Sequence, residues 1–513
     1  MTLARRDGLR WGVTIEAGTM MRFPGTLLST QLCTACGNMV VNNVADEIHP
    51  KSINIQHGSE NNRGPHSLTR QILELAIPAL GALVAEPLFT VCDSAMVGHL
   101  GVHALAGLGV GSTVLQTIVG VFVFLAYSTT ALAARALGEG HQDQAVRSGI
   151  QAMWLAFGLG VIATAILAWL APFIVVWMGG TAEVLPDAVA YLRASCPGLI
   201  GMFVVLAATG TLRGLLNTRI PLYVSAGGAL FNVVANAVLI YGCDWGVAGS
   251  GAGTALAQTL MAAVLVTVVV RGARRLEVSL KPSWGQVARA AWEGAPLLVR
   301  TVALRAALLL TTTVATTIGV AGLASHQVVW TIWTFAAFLL DALAIAAQAL
   351  VGFALGTGDT RQLRALITKL VWWGAGLGVA LGVVLAAGAW ALPWVFGSDP
   401  TMHSIATAAL LIAALFMPLG GVVYQLDGIL IGANKTRFMA VSSLITLVLY
   451  APALGWLTHL IESAGQVPLP PSAQRHWMVA LWVCFGLVFM GVRGLTLAWR
   501  TWFSPRAAVV RGQ

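Results

Sequence analysis

From about residue 70 onward, long apolar runs alternate with short polar segments. Runs of about 20 residues are long enough to cross the roughly 30 Å hydrocarbon layer as helices. Membrane-spanning strands would instead alternate apolar and polar residues in units of ~10, a pattern that these runs lack. The sequence therefore predicts an all-α integral membrane protein with twelve transmembrane helices, near residues 70–97, 103–135, 146–176, 188–213, 220–241, 247–270, 285–318, 323–356, 362–394, 402–432, 436–460 and 476–500.

The composition supports this interpretation. Hydrophobic residues make up 57% of the chain and charged residues 10%, whereas soluble domains carry roughly a quarter charged residues. The basic excess of 29 Lys+Arg over 20 Asp+Glu raises the question of a nucleic-acid partner. However, the basic residues concentrate in the loops on one side of the predicted membrane, and only Arg193 and Arg475 fall clearly on the other side. This bias follows the positive-inside rule, so we expect both termini in the cytoplasm and no nucleic-acid partner.

The first part of the chain differs from the rest. Residues 1–66 are polar and rich in Asn and His, and they contain Cys33 and Cys36. They match neither a signal peptide nor a packed domain, so they are predicted to form a flexible cytoplasmic tail. The two cysteines have zinc-like spacing, but no second Cys or His pair accompanies them. We therefore expect no metal and no cofactor.

The chain contains an internal repeat. Residues 101–141 align without a gap on residues 319–359, a shift of 218 residues, with shared "ALGEG" and "ALGTG" endings. At the same shift Pro78 falls on Pro296. This shift corresponds to about six spans, so both halves begin on the same side of the membrane and the repeats are parallel. This construction is common in transporters that bind substrate between their halves. The alternative is a duplication that only enlarged a bundle. The predicted organisation is a tail at 1–66, a six-helix bundle at 67–270, a cytoplasmic linker at 271–284, a second bundle at 285–500 and a tail at 501–513.

Charges within membrane spans are costly, at least ~2.5 kcal/mol at the centre, and are therefore functional candidates. On helix 1, Asp93 lies seven residues after Glu86, about two turns, so both carboxylates can face one cavity. A carboxylate there can bind a proton from one side and release it to the other. For Asp93 the alternative is a permanent ion pair, and for Glu86 it is capping or packing beside Pro87.

Two asparagines on helix 5 are the predicted partners of Asp93. Asn232 and Asn236 lie one turn apart on the same helix face, and each can donate and accept hydrogen bonds. They suit a hydrogen-bonded contact to Asp93, and interhelical contacts without a transport role are the alternative.

The second predicted bundle has a different set of polar residues. Arg300 and Arg305 on helix 7 point to different faces, and we expect one of them to meet an acid of this half. His326 on helix 8 could titrate near neutral pH, although a structural hydrogen bond is the more common role of such a histidine. The candidates for ion coupling in this half are Asp341 on helix 8 and Asp427 on helix 10. Further candidates for the substrate cavity are Gln348 and Tyr424.

The sequence lacks several motifs of enzymes. No GxxxxGK[ST] phosphate loop, HExxH metal site or GxSxG nucleophile elbow is present. We therefore expect a protein that is not an enzyme and does not use ATP. Transport would then draw on an ion gradient, in which one proton charge is worth about 2.3 kcal/mol per 100 mV.

Several spaced motifs resemble one family. The segments "EPLFTVCDSAMVGHLGVHALAGLGVGSTV", "LFNVVANAVLIYGCDWGVAGSGAGTALAQ", "GLASHQVVWTIWTFAAFLLDALAIAAQALVGFALGTGD" and "YQLDGILIGANKTR" resemble the multidrug and toxic compound extrusion (MATE) family, in its DinF-type branch. The resemblance covers about residues 68–500. It implies a twelve-helix antiporter of two six-helix bundles that exports amphipathic, often cationic compounds in exchange for H+ or Na+. The expected protein is a monomer in the bacterial cytoplasmic (inner) membrane.

The resemblance also assigns roles to individual residues. Asp93 matches the essential helix 1 carboxylate, and Pro78 matches the proline at which that helix bends. Asn232 matches the helix 5 asparagine, but Asn236 stands where an aspartate is common, so a two-carboxylate site is in doubt. Asp427 matches a helix 10 acid implicated in cation coupling. The rival interpretations are a lipid-linked saccharide flippase of the same superfamily and a non-transporting membrane scaffold.

Overall fold

A computed structural model describes residues 65–178, 181–463 and 469–503. Within these ranges the chain forms twelve membrane-spanning helices, if the bent fourth helix is counted as one, and no strands. The predicted all-α fold is therefore confirmed. The helices are α1 Pro65–Gly98, α2 Val102–Gly138, α3 Gln142–Trp177, α4 Leu185–Ser195 with Gly198–Gly214, α5 Arg219–Gly242, α6 Gly246–Arg275, α7 Trp284–Ile318, α8 Val320–Thr357, α9 Thr360–Gly388, α10 Pro400–Gly432, α11 Thr436–Ser463 and α12 Pro471–Phe503.

Some helices depart from regular geometry at informative positions. The two parts of α4 meet at 51°, next to Pro197, which has no N–H to continue the helix. The last turn of α5, Val238–Gly242, is a π-helix that begins two residues after Asn236. A second π segment, Phe485–Met490, lies inside α12. Such π turns occur often at functional sites, where they change the direction of neighbouring side chains.

Helix α8 lies between the two predicted bundles. It packs against α1 and the second part of α2, as well as against α9 and α10. Its most apolar 18-residue window is 72% buried, the highest fraction of any span in the described ranges. Ala342 and Ile345 of this helix form a small apolar cluster with Ala79 of α1. The position of α8 explains its long run of small and aliphatic residues, since both faces meet protein.

Glycines permit a close contact between α2 and α8 at one end. A Cβ on Gly138 would overlap the backbone of α8 at Phe353 and Gly356, and a Cβ on Gly352 would lie 3.0 Å from the Cβ of Ala134. This contact is beside the loops that carry most of the basic residues. The two halves are therefore closed together at the basic-loop end.

The segment between the halves is fixed to α3. The Trp154 indole N–H donates to the carbonyl of Leu280 at 3.0 Å. Gln151 donates to the carbonyl of Lys281 at 3.2 Å and accepts from the backbone N–H of Ser283 at 2.8 Å.

Cys33, Cys36 and nearly all of the two predicted tails lie outside the described residues.

Candidate functional site

Each half of the molecule contains a cavity. The first-half cavity is lined by α1, α2, α4, α5 and α6, and the second-half cavity mainly by α7, α8, α10 and α12. Their linings differ in charge. The first contains two carboxylates, Glu86 and Asp93, and no basic residue. The second contains two carboxylates and two guanidinium groups.

Asp93 is held in the first-half cavity by amide groups. Its side chain is 3% exposed, and Asn236 Nδ2 donates to its Oδ1 at 2.5 Å. The Asn232 amide, in the orientation that satisfies both its polar atoms, donates to the same oxygen at 2.9 Å and accepts from the Thr254 N–H at 3.2 Å. No Lys or Arg of the described residues lies within ion-pair distance of Asp93. The carboxylate is therefore held by neutral donors that remain compatible with either of its protonation states.

The local structure of α1 and α5 explains this arrangement. Asn232 and Asn236 are one turn apart and both fully buried, so their amides point together at α1. Gly253 of α6 sits directly against Asn236, where any side chain would collide with the amide. The helix pair is thereby packed closely enough for the amides to reach Asp93.

Glu86 lines the same cavity, two turns before Asp93. The structure places the two carboxylates as the seven-residue spacing predicts. Glu86 differs from Asp93 in its environment, because its side chain is exposed to the cavity and has no hydrogen bond in the described part of the chain. The lining also contains Phe89, Tyr191 and Met261, together with other apolar and neutral polar side chains.

Asp427 is the centre of an ion-pair cluster in the second half. Arg300 of α7 donates to its Oδ2 at 2.8 Å, and Arg493 of α12 donates to the same oxygen. Asp427 is 8% exposed and Arg493 is 7% exposed. The predicted meeting of one helix 7 arginine with an acid of this half thus occurs at Arg300. A carboxylate held by two guanidinium groups is an ion pair that would be costly to break.

Asp341 lies in the same cavity without a direct partner. No hydrogen bond or ion pair to its carboxylate is formed by the described residues. It interacts electrostatically at longer range with Arg300, Arg493 and Arg213. Arg213 of α4 and Tyr127 of α2 belong to the first half, so this cluster joins both halves.

The remaining predicted residues are placed as follows. Gln348 and Tyr424 line the second-half cavity, and Pro78 lies inside α1. Arg305 and His326 line neither of these two cavities. The face of α7 that carries Arg305 turns toward Gly120 of α2, and His326 is buried with its ring 5.8 Å from that of Trp482.

Three functional candidates escaped the sequence analysis. Arg493 is a charged residue inside the last apolar run. The rule that charged residues within membrane spans are functional candidates could therefore have found it. Tyr127 and Arg213 carried no such signal, because one is an ordinary aromatic residue and the other lies at a helix end among basic residues. Their role depends on how α2 and α4 are rotated toward the second half.

The model of the MatE family matches the chain twice, over residues 78–238 and 296–457. The two matches begin 218 residues apart, from 78 to 296, which confirms the internal repeat. Two curated relatives are Protein DETOXIFICATION 44, chloroplastic, of Arabidopsis thaliana, 28% identical, with 86% of this chain and 84% of the relative covered, and DNA damage-inducible protein F of Escherichia coli, 26% identical, with 85% and 95% covered.

Solved structures show the same fold. The Vibrio cholerae MATE transporter VcmN in the bent form superposes with a TM-score of 0.71 at 20% identity, covering 84% of this chain and 99% of that one. A MOP superfamily transporter from Pyrococcus furiosus superposes with a TM-score of 0.72 at 18% identity, covering 86% and 99%. At these identities the likeness concerns the architecture alone.

Proposed function

This chain belongs to the MatE family, and we propose that it is a secondary active exporter that exchanges H+ for amphipathic, often cationic compounds by alternating access. The observation that carries the proposal is Asp93, a buried carboxylate on a membrane helix with amide partners and no basic partner in the described residues. Such a group can take up and release a proton without breaking an ion pair. The family itself consists of multidrug and toxic compound efflux transporters.

The first-half cavity suits a cationic amphipath. Its lining combines Glu86 and Asp93 with aromatic and apolar side chains such as Phe89, Tyr191 and Met261. A cation that enters would be attracted by the carboxylates and by the faces of the aromatic rings. When a proton neutralises Asp93, that attraction falls. Proton entry and cation release are thereby linked.

The proposed cycle uses the closure at the basic-loop end. By the positive-inside rule that end is cytoplasmic, so the cycle starts from a state closed toward the cytoplasm, to which protons have access from the outside. A proton from outside neutralises Asp93 and weakens the charge-assisted hydrogen bonds from Asn236 and Asn232. Helix α1 then bends near Pro78, where no N–H is available to complete the helix, and the bound compound is released. The unloaded protein returns to the inward-open state and loses the proton.

Protons are favoured over sodium by the same geometry. Hard cations in proteins are held by several oxygen ligands, and carboxylates contribute most. Here Asn236 takes the position beside Asp93 where a second carboxylate would complete such a site. A proton needs only the one carboxylate. We further propose a monomer in a bacterial inner membrane, with both termini cytoplasmic and no nucleic-acid partner.

Transport in proteoliposomes tests the proposal. Purified protein would be reconstituted, and the flux of a fluorescent organic cation such as ethidium would be followed under an imposed pH gradient and then under a sodium gradient. We expect flux under the pH gradient, loss of at least about 100-fold with Asp93→Asn, and no loss with Asp143→Asn, an exposed carboxylate at the start of α3. Full flux with Asp93→Asn, or flux under the sodium gradient alone, would refute proton coupling at this residue.

A further inference from the structure

The second-half cavity is balanced in charge within its lining and has a further positive charge outside that lining. The lining contains two guanidinium groups, those of Arg300 and Arg493, and two carboxylates, those of Asp341 and Asp427, while a third guanidinium group, that of Arg213, interacts electrostatically with Asp341 from outside the lining. Four of these charges lie within membrane-spanning helices and Arg213 lies in the last turn of α4, and a buried charge without a counter-charge is costly. Among the described residues, the set is therefore short of one anion. The first-half cavity has the opposite sign, since its lining contains acids only.

Hydrogen-bond donors are also left over. The Nε–H groups of Arg300 and Arg213 are buried and have no acceptor in the described part of the chain. Both guanidinium groups that reach Asp427 use the same carboxylate oxygen, Oδ2. Buried N–H donors without an acceptor are rare in native proteins and call for a partner. A carboxylate of a ligand could accept from these donors and supply the missing negative charge.

Aromatic side chains form much of the remaining wall. The aromatic side chains of the lining are Trp330, Trp333, Phe485, Phe489, Tyr127 and Tyr424. Trp333 and Phe485 meet edge to face with ring centroids 5.4 Å apart. Aromatic rings at such angles offer faces and edges on which a flat apolar ligand can stack.

A cationic ligand would fit this site poorly. The rings could attract a cation through their faces, but Arg493 already lies over Phe489 at 5.4 Å from the ring centroid. Asp427 is occupied by two guanidinium groups, which leaves Asp341 as the one carboxylate of the lining without a direct partner in the described residues. A second charge of the same sign beside Arg300 would be repelled.

We infer that the second-half cavity is a separate binding site for an aromatic carboxylate, whose negative charge is held by Arg300 and the guanidinium groups around it. This inference goes beyond the proposed exchange of cations for protons at Asp93. The ligand class is defined by the chemistry of the wall: a flat aromatic body and one carboxylate.

The test compares two probes that share one aromatic body and differ in the charge of the polar group. Purified full-length protein in nanodiscs of zwitterionic phosphatidylcholine would be titrated with 2-naphthoate and with neutral 2-naphthamide by calorimetry at neutral pH, with empty nanodiscs subtracted. We expect the carboxylate to bind at least tenfold more tightly than the amide. Equal or weaker binding of 2-naphthoate would overturn the inference. No ion gradient is involved, so this result is independent of whether the protein exchanges protons.

Two variants that change the charge of the cavity in opposite directions test its role in binding. Arg300→Gln removes a donor but leaves Asp427 paired with Arg493, and we expect 2-naphthoate to bind about tenfold more weakly. Asp341→Asn removes a carboxylate that makes no direct ion pair, and we expect about tenfold tighter binding. A general loss of structure would weaken binding in both variants. If both variants shift affinity in the same direction, charge at this site does not select the ligand.

Two neighbouring residues locate the site. Leu308 lines the second-half cavity, whereas Leu309, the next residue, is 69% exposed on the outer face of α7. Leu308→Trp should fill the cavity and abolish 2-naphthoate binding. Leu309→Trp adds the same side chain outside and should leave the affinity unchanged. Retained binding in Leu308→Trp would place the ligand elsewhere and refute the assignment.

Discussion

The two halves of this protein share a fold but differ in how they hold a buried carboxylate. In the first half Asp93 accepts from Asn232 and Asn236, which are neutral. In the second half Asp427 accepts from Arg300 and Arg493, which are charged. The amides can remain hydrogen-bonded to Asp93 when it is protonated. Protonation of Asp427 would instead leave two guanidinium groups without their counter-charge. The two repeats therefore share helix positions, while the buried carboxylate has neutral partners in one half and charged partners in the other.

The largest expected effect comes from making the same substitution at both acids. Asp427→Asn leaves two buried guanidinium groups without a direct counter-charge, and we expect the free energy of unfolding to fall by about 3–5 kcal/mol. Asp93→Asn breaks no ion pair, and we expect a change below about 1 kcal/mol. Denaturant titration in mixed micelles would measure both values. Equal losses at the two positions would show that the halves do not differ in this respect.

A smaller effect is expected when the donor rather than the acid is removed in the first half. Asn236→Ala removes the 2.5 Å hydrogen bond to Asp93. Hydrogen bonds to charged groups contribute roughly 1.5–3 kcal/mol, which corresponds to a loss of about 10- to 100-fold in exchange rate if the bond is made only in one state of the cycle.

The conservative variant Asn236→Ser serves as the control for that measurement. It retains a hydrogen-bond donor on a shorter side chain and should recover part of the rate of cation flux in proteoliposomes. An unchanged rate in Asn236→Ala would mean that the asparagine contributes packing alone.

The smallest effect concerns the contact that closes the two halves. A Cβ on Gly138 of α2 would collide with the backbone of α8, whereas a Cβ on Gly109 of the same helix meets nothing within 4 Å. Overpacking costs typically 1–3 kcal/mol, so Gly138→Ala should reduce the closed population by about tenfold. Gly109→Ala should leave it unchanged.

Spin labels at His141 and Arg361, which lie exposed just beyond the ends of α2 and α8, would report this population by their distance distribution. We expect longer distances for Gly138→Ala. The same distance distribution in Gly138→Ala and Gly109→Ala would mean that α2 and α8 accommodate the added methyl group without separation of the halves.

Much of the architecture followed from the sequence alone, because the membrane limits the choice of structure. Apolar runs of about 20 residues can only be helices there, and the helix count, the repeat and the membrane location followed from their lengths and spacing. The site around Asp93 was also predictable. Its three polar residues lie on two helices, and the cost of isolated polar groups in the membrane predicted that they would meet.

Only the tertiary structure decided the contacts between helices of different halves. Tyr127 lines the second-half cavity and Arg213 interacts electrostatically with Asp341 there. Both depend on the rotation of α2 and α4, which the sequence pattern does not specify when a helix is apolar on all sides. Arg305 and His326 turned away from both cavities for the same reason. Apolar length fixed which segments cross the membrane, whereas side-chain packing fixed which of their faces meet.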